Sequence, residues 1–468
     1  MKDEYDFSKA APNPYIEKLP YNPKDKQSIY EYALDLRGST LREKTDADEI
    51  ADIHSRKGAF GDAVEYFYFR LDNNSESTPD FSEAHLELKT TPLKRNKNKT
   101  LSAKERLVIG MIDYISVVNE SFETSHFMDK AEDILLISYL WEAEKEPLDY
   151  EVELVELINF PSLPQADLAQ IKEDWETVVN KIRDGRAHEL SGSDTLYLEA
   201  CTKAANAQVR RKQPFSEIEA KPRAWALKAS FMTALSNRFI EGMQAIERSA
   251  EEENIGLLDL VYKRFEPYFG RTEEQLGESF GYIKESGRKP KNLCALITRR
   301  ILGVSDDAKI EEFEKAGIVP KTMRVKRNGT PKESISFPTF DYFELANTPF
   351  ADSDFKNYLE QKFLFVIYSE DDNKDGEYRL SGVTFWQMPE ADLEDAEHCY
   401  EEMRARVKEG HAQDSVKSTE NRCCHVRPHG RNSADTLPTP QGGPVVKKCF
   451  WLNAQYIKGE LARLAATK

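Results

Sequence analysis

The sequence predicts an α/β protein built as two successive copies of one domain, and three observations carry this. The run Ile134-Leu135-Leu136-Ile137-Ser138-Tyr139-Leu140 is short, apolar and β-branched, as a buried strand is. Residues 165–185 place Leu168, Ile171, Trp175, Val178, Val179 and Ile182 on one side of a long helix. The second half of the chain then passes through a comparable series of segments, and 468 residues are too many for one ordinary core.

Composition narrows the class. Hydrophobic content of 40% with 31% charged residues belongs to soluble globular proteins, no apolar run approaches a membrane span, and no signal peptide begins the chain. A cytoplasmic, bacterial protein without a membrane partner is expected. The six cysteines lack paired metal-ligand spacing, so free thiols are expected rather than a disulfide framework. A net charge of −17 argues against nucleic acid as a partner, yet the cations are clustered: Lys94 to Arg106, Lys203 to Lys212, and Arg324 to Arg327. Basic loops on an acidic body are compatible with a duplex held in a cleft.

Residues 1–24, rich in proline and charge, read as an N-terminal arm. A first domain is expected over 25–248, a linker over 249–258 at the acidic Glu251–Glu253 break, and a second domain over 259–468. Ile29, Tyr32, Ala33 and Leu36 are spaced for a helix packed on the first core, and Phe60, Val64, Phe67 and Leu71 make a second stripe with Gly61 and Glu65 beside it. Residues 79–89 carry the chemistry. As a strand, Ala84–Leu88 would bury Leu86 and Leu88 and direct Glu87 and Lys89 off the other face, while turn residues let Asp80 end a neighbouring strand and swing towards Glu87. Two carboxylates and a lysine suit magnesium-assisted hydrolysis of a phosphodiester, because hard oxygens hold Mg2+ and a lysine can orient water against a phosphate. A solvated strand edge accounts for the same spacing.

The series Lys57-Gly58-Ala59-Phe60-Gly61-Asp62-Ala63-Val64-Glu65, Asp80, Glu87-Leu88-Lys89-Thr90-Thr91-Pro92, Glu123-Thr124-Ser125-His126 and Lys203-Ala204-Ala205-Asn206-Ala207 resembles, in order, the MutH endonucleases of mismatch repair. The chain is about twice their length, and in that it is similar to the larger type II restriction endonucleases that cut at GATC. The resemblance implies two tandem MutH-like, restriction-endonuclease-like domains, each a mixed central β-sheet flanked by helices. It implies Mg2+ held by Asp80, Glu87 and the Leu88 carbonyl with Glu65 in support, Lys89 on the attacking water, and Lys130 near the scissile phosphate. It also implies DNA contacts from Lys203, with Thr202 beside it, and from Lys228. An arginine and a proline commonly precede that first lysine in the family; Cys201 and Thr202 stand there instead.

In the second half Val319-Pro320-Lys321-Thr322 aligns with Glu87-Leu88-Lys89-Thr90, Phe363 onward aligns with the strand from Ile134, and Phe450–Ile457 aligns with Trp225–Met232. Glu87 thereby becomes Val319, Asp80 falls opposite Glu312, and Glu65 falls near Arg299. Valine cannot ligate a metal, so this copy is expected to keep the fold without the cutting chemistry. Cys423-Cys424-His425-Val426-Arg427-Pro428-His429 takes the place of the Lys203 segment, where Arg427 and His429 suit DNA better than adjacent cysteines suit zinc. The expected activity is type II restriction of double-stranded DNA at GATC, with transient self-association on the DNA. The alternatives are a GATC-nicking repair endonuclease and a non-catalytic GATC-binding protein.

Overall fold

The computed structural model describes residues 19–45, 58–71, 78–96, 100–142, 144–204, 206, 208–237, 243–253, 255–283 and 288–466. Lys57, Lys97, Lys99, Ala205, Ala207 and most of the expected arm lie outside them. The chain forms two compact units, Met1–Phe239 and Ile240–Lys468.

In the first unit, strands β1 (Glu87–Arg95), β2 (Leu101–Ala103), β4 (Asp133–Leu140) and β5 (Val152–Asn159) make a sheet of order β2-β1-β4-β5. β1 and β4 are parallel, and the other pairs are antiparallel. β3 (Leu107–Met111), β9 (Arg223–Leu227) and β6 (Leu198–Thr202) make a second sheet of order β3-β9-β6, and β7 (Arg211–Gln213) with β8 (Ser216–Ala220) a hairpin. Ile134, Leu135, Leu136 and Ile137 are all fully buried, so β4 is covered on both faces and is the floor of the unit. Residues 19–24 are not an arm. Tyr21 is buried against Phe69 and Phe81, and its hydroxyl donates to the Phe69 carbonyl at 2.6 Å.

The second unit repeats this plan. β12 (Ile318–Val325), β14 (Lys362–Glu370) and β15 (Tyr378–Trp386) order as β12-β14-β15, with β12 parallel to β14, while β13 (Ile335–Thr339), β19 (Lys448–Leu452) and β16 (Cys424–Pro428) order as β13-β19-β16. The repeat holds to the residue. Glu87 pairs with Ile134 and Lys89 with Leu136, as Val319 pairs with Phe363 and Lys321 with Phe365. The register between the next two strands slips between Ser138 and Tyr139 in one copy and between Ile367 and Tyr368 in the other, which are equivalent positions. β10 (Met243–Gln244) and β11 (Lys309–Ile310) pair in parallel, and β17 (Thr436–Pro438) pairs with β18 (Pro444–Val446). The acidic stretch expected as a linker is packed rather than free, because Arg264 grips both oxygens of the buried Glu252 at 2.8 and 2.7 Å.

A buried acid fixes the entry to β6. Asp174, on the helix Gln165–Arg183, accepts the backbone N–H groups of Leu196, Tyr197 and Leu198 at 2.9, 2.6 and 2.9 Å. Removing it would strand three buried donors, each costing about 1–3 kcal/mol. Asp174→Ala is therefore expected to lower stability by at least about 3 kcal/mol in urea unfolding, well above the loss for an exposed substitution such as Glu176→Ala.

Candidate active site

The strand that carries the chemistry starts later than its alternation indicates. Ser82–Ala84 form a 3-10 turn, His85 adopts a left-handed conformation at φ 49°, and β1 begins at Glu87. Phe81 bridges Leu86, so the chain doubles back tightly and Asp80 lies in this loop rather than on a neighbouring strand. The loop brings the carboxylate alongside β1, where Asp80 Oδ2 accepts the Leu88 N–H at 2.9 Å. β4 pairs with Glu87–Leu93 and β2 pairs only with Leu93–Arg95, so beside Glu87 and Lys89 one edge of β1 carries no strand among the described residues.

Glu87 is the centre of the cluster. It is only 2% exposed, as are the expected core residues Leu86 (0%) and Leu88 (1%), so both faces of β1 are covered here. The Lys89 ammonium lies 2.5 Å and the Lys130 ammonium 3.6 Å from Glu87 Oε1. Lys130 comes from the helix His126–Ala131, and its stem crosses Gly110 of β3, where a Cβ would approach the Lys130 chain to 3.3 Å. Gly110 is thus a site residue that pattern reading missed; a glycine inside a strand is the available signal. Glu87 Oε2 is buried and has no hydrogen-bond partner among the described residues. A buried carboxylate oxygen left bare is costly unless a cation meets it, so the donor set fits a hard metal ion.

Glu65 joins from a different element. The helix Ala59–Ala63 continues as a π-helical turn over Val64–Tyr68, and the wider turn brings Tyr68 and Phe69 into the core, with Phe67 only partly buried. Gly61 makes room for Thr90 of β1, 3.0 Å from where a Cβ would stand, rather than for Glu65. Burial and then the Asp80 carboxylate push the Glu65 pKa up to about 7, with Asp62 and Glu87 adding to the rise and Lys89 opposing it. Glu65 is therefore part of the acidic cluster and not a rim charge.

The expected DNA contacts divide into two groups. Thr202 and Lys203 are exposed where β6 ends, and the Lys203 N–H donates to the Pro222 carbonyl at 3.0 Å. His429 is equivalent, since its N–H donates to the Lys447 carbonyl at 2.8 Å, also one residue ahead of the partner strand. Arg427 stacks on Trp451 with 3.6 Å from guanidinium to ring centroid, and His429 meets the same ring edge-on at 5.2 Å. Lys228 corrects the expectation: its ammonium donates to the Gly192 and Thr195 carbonyls at 2.6 and 2.7 Å, which ties it inward to the loop before β6 and away from phosphate. Several expected basic clusters are likewise paired internally, Arg106 to Glu199 at 2.6 Å and Arg324 to Glu273 at 2.8 Å. All six cysteines are free, and Arg422 bridges Asp392 and Asp395 beside Cys423, filling that corner with a cation.

The second copy lacks the acid cluster for three reasons. Val319 replaces Glu87 at the same register. Glu312, at the place of Asp80, has both oxygens turned to the Ile246 N–H at 3.0 and 3.1 Å. Pro320 replaces Leu88 and has no N–H with which to hold a carboxylate. Arg299, expected near the place of Glu65, instead donates to the Ala308 carbonyl.

The raised Glu65 pKa gives a stability test in chelator. The group ionises at about 4.5 in its ordinary state and at about 7 in the fold, so between these values the native protein binds more protons than the unfolded chain. Stability should fall as pH rises through that window. Urea unfolding at pH 5 and pH 8 is expected to show a larger loss for the parent protein than for Glu65→Gln.

Comparison with known proteins bears on both units. The family described as DNA mismatch repair enzyme MutH matches residues 69–174 and 303–397, one stretch in each unit. The type II restriction enzyme Sau3AI of Staphylococcus aureus is 33% identical over 94% of this chain and 99% of its own length. The DNA mismatch repair proteins MutH of Shewanella woodyi and Serratia proteamaculans are each 26% identical, covering 47% and 48% of this chain and 94% and 97% of their own. A MutH-sized relative thus accounts for about half of the chain, and a restriction enzyme accounts for nearly all of it. The chain belongs to the MutH-like endonuclease family, with one match in each unit and likeness to a type II restriction enzyme over nearly its whole length.

Proposed function

We propose that this protein restricts double-stranded DNA at GATC with Mg2+ as its cofactor, cutting from the first unit and binding DNA without cutting through the second. The observation that carries this is the buried, unpartnered oxygen of Glu87 beside Asp80, Lys89 and Lys130. Likeness to a restriction enzyme over the whole chain supports restriction over repair. GATC and magnesium follow from the family resemblance. No helix among the described residues is long and apolar enough to cross a membrane, and the substrate places the work in the bacterial cytoplasm.

Asp80, Glu87 and the Leu88 carbonyl would hold Mg2+, with Glu65 in support. When bound, the ion supplies charge neutralisation at the phosphate and a water acidic enough to lose its proton near neutral pH. Lys89 positions and activates the attacking water, and Lys130 holds the scissile phosphate by charge. The water oxygen forms a bond to phosphorus in line as the P–O3′ bond breaks, which leaves a 3′-hydroxyl and a 5′-phosphate. Thr202 and Lys203 contact DNA from the first unit, and Arg427 and His429 from the second. One acid cluster cuts one strand per event, so a double-strand break needs two molecules meeting on DNA or two nicks in turn.

The test is an unmethylated plasmid with mapped GATC sites, incubated with protein and Mg2+ or chelator, followed by mapping of the ends. Mg2+-dependent double-strand cuts at GATC are expected, and Glu87→Ala should slow them by at least about 10²-fold while retaining DNA binding. Accumulated nicks would favour the repair-type enzyme, and intact DNA retained at GATC a binding protein. Equal double-strand cutting by a strictly monomeric form in single turnover would overturn the pairing on DNA.

A further inference from the structure

The second unit contains a cavity of about 620 Å³ on the strand equivalent to β1. Lys321, at the register of Lys89, lines it, although the carboxylates that accompany Lys89 are gone. Half-buried, Lys321 makes no hydrogen bond or ion pair among the described residues, and burial pulls its pKa down with no charged neighbour to offset it. Three further lysines line the same space: Lys291 and Lys332, and Lys289, which is paired with Glu274 at 2.7 Å. Of the two acids there, Glu273 is consumed by a two-pronged ion pair to Arg324 at 2.8 and 2.8 Å, which leaves Glu333. The balance is cationic.

Two more features fix the chemistry. The helix Leu293–Ile301 begins in the cavity wall, and its N-cap Asn292 makes no side-chain capping bond; the Leu293 and Ala295 N–H groups donate to the Pro290 and Asn292 carbonyls, and the positive end of the helix adds to the cationic balance of the wall. Cys294 is a neutral presence, its thiol pushed up to about 12 by burial. Hard-metal binding needs free carboxylates, and this cavity offers a lysine excess instead. A dianionic or monoanionic oxygen ligand matches a desolvated ammonium, surrounding cations and a helix N-terminus.

We propose that the cavity of the second unit is a metal-independent phosphate-binding site, with Lys321 as its central cation. The ligand class is a phosphate ester or phosphate anion, from the backbone of a DNA duplex or from a free phosphate compound. In this reading the duplicated site has exchanged its acids for a phosphate grip while keeping its lysine. The inference does not depend on the cutting chemistry of the first unit.

The experiment is calorimetric titration of the full chain in chelator, with inorganic phosphate and with a short GATC-containing duplex, for the parent protein, Lys321→Gln and Lys332→Gln. Losing a charge-assisted hydrogen bond from Lys321 should weaken phosphate binding roughly tenfold. If the source is DNA, duplex affinity falls with it; if the source is a free phosphate compound, duplex affinity holds while phosphate binding falls. Absence of phosphate binding by the parent protein, together with unchanged duplex affinity in both variants, would overturn the site. Circular dichroism and thermal unfolding serve as the folding control, and should Lys321→Gln fail to fold, the exposed Lys332→Gln decides by the same criteria.

Discussion

Everything at the candidate active site depends on one buried carboxylate. Glu87 is held inside the first unit because β1 runs parallel to a strand covered on both faces, and that pairing sets which residues meet at its open edge. A carboxylate so placed cannot be left alone, and Lys89 and Lys130 arrive from two elements to meet one of its oxygens. The fold therefore carries two cations and an unsatisfied oxygen to one point. For an endonuclease this arrangement is useful at both ends of the reaction, since the same neighbourhood attracts a metal ion and a phosphate.

The two units show which parts of that arrangement belong to the fold and which to the chemistry. Left-handed backbone two residues ahead of the key position occurs in both, at His85 and at Gly317. A buried cation pinned by carbonyls opens the central strand of the second sheet in each unit, Arg223 of β9 in one and Lys448 of β19 in the other. Lys228 and Asn453 then perform one task with different groups, each donating to two carbonyls of the loop before the segment that leaves the sheet. These shared devices hold the loop and strand ends in place. The acids and their anchors differ at this register, while these framing devices are kept.

Much of this was legible in the sequence, and the remainder has definite physical causes. Glu87-Leu88-Lys89 and the apolar run from Ile134 give strand β1, strand β4 and their repeat in β12 and β14, because strand patterning is local and the copy doubles the signal. Position of the Asp80 loop was not legible, since a 3-10 turn and a left-handed histidine break the alternation just where it would have been counted. The π-helical turn escaped because it moves the buried face from Phe67 to Tyr68 and Phe69, and aromatic residues at all three positions hide the shift. Lys228 looked like a phosphate contact because its partners, two carbonyls more than thirty residues away, are set only by tertiary packing. The packing of Tyr21 under Phe69 is invisible for the same reason.

Pro320 separates the two units at the backbone as well as at the side chain. In the first unit a single backbone N–H at Leu88 tethers Asp80, and the ring of Pro320 removes that tether from the second. Regaining an acid at Val319 would thus restore one oxygen donor with no partner carboxylate brought beside it, and Glu312 would still be engaged with Ile246. An acid cluster at this register of the second unit would take several replacements together, because the valine at 319, the missing N–H at 320 and the engagement of Glu312 with Ile246 each stand in its way.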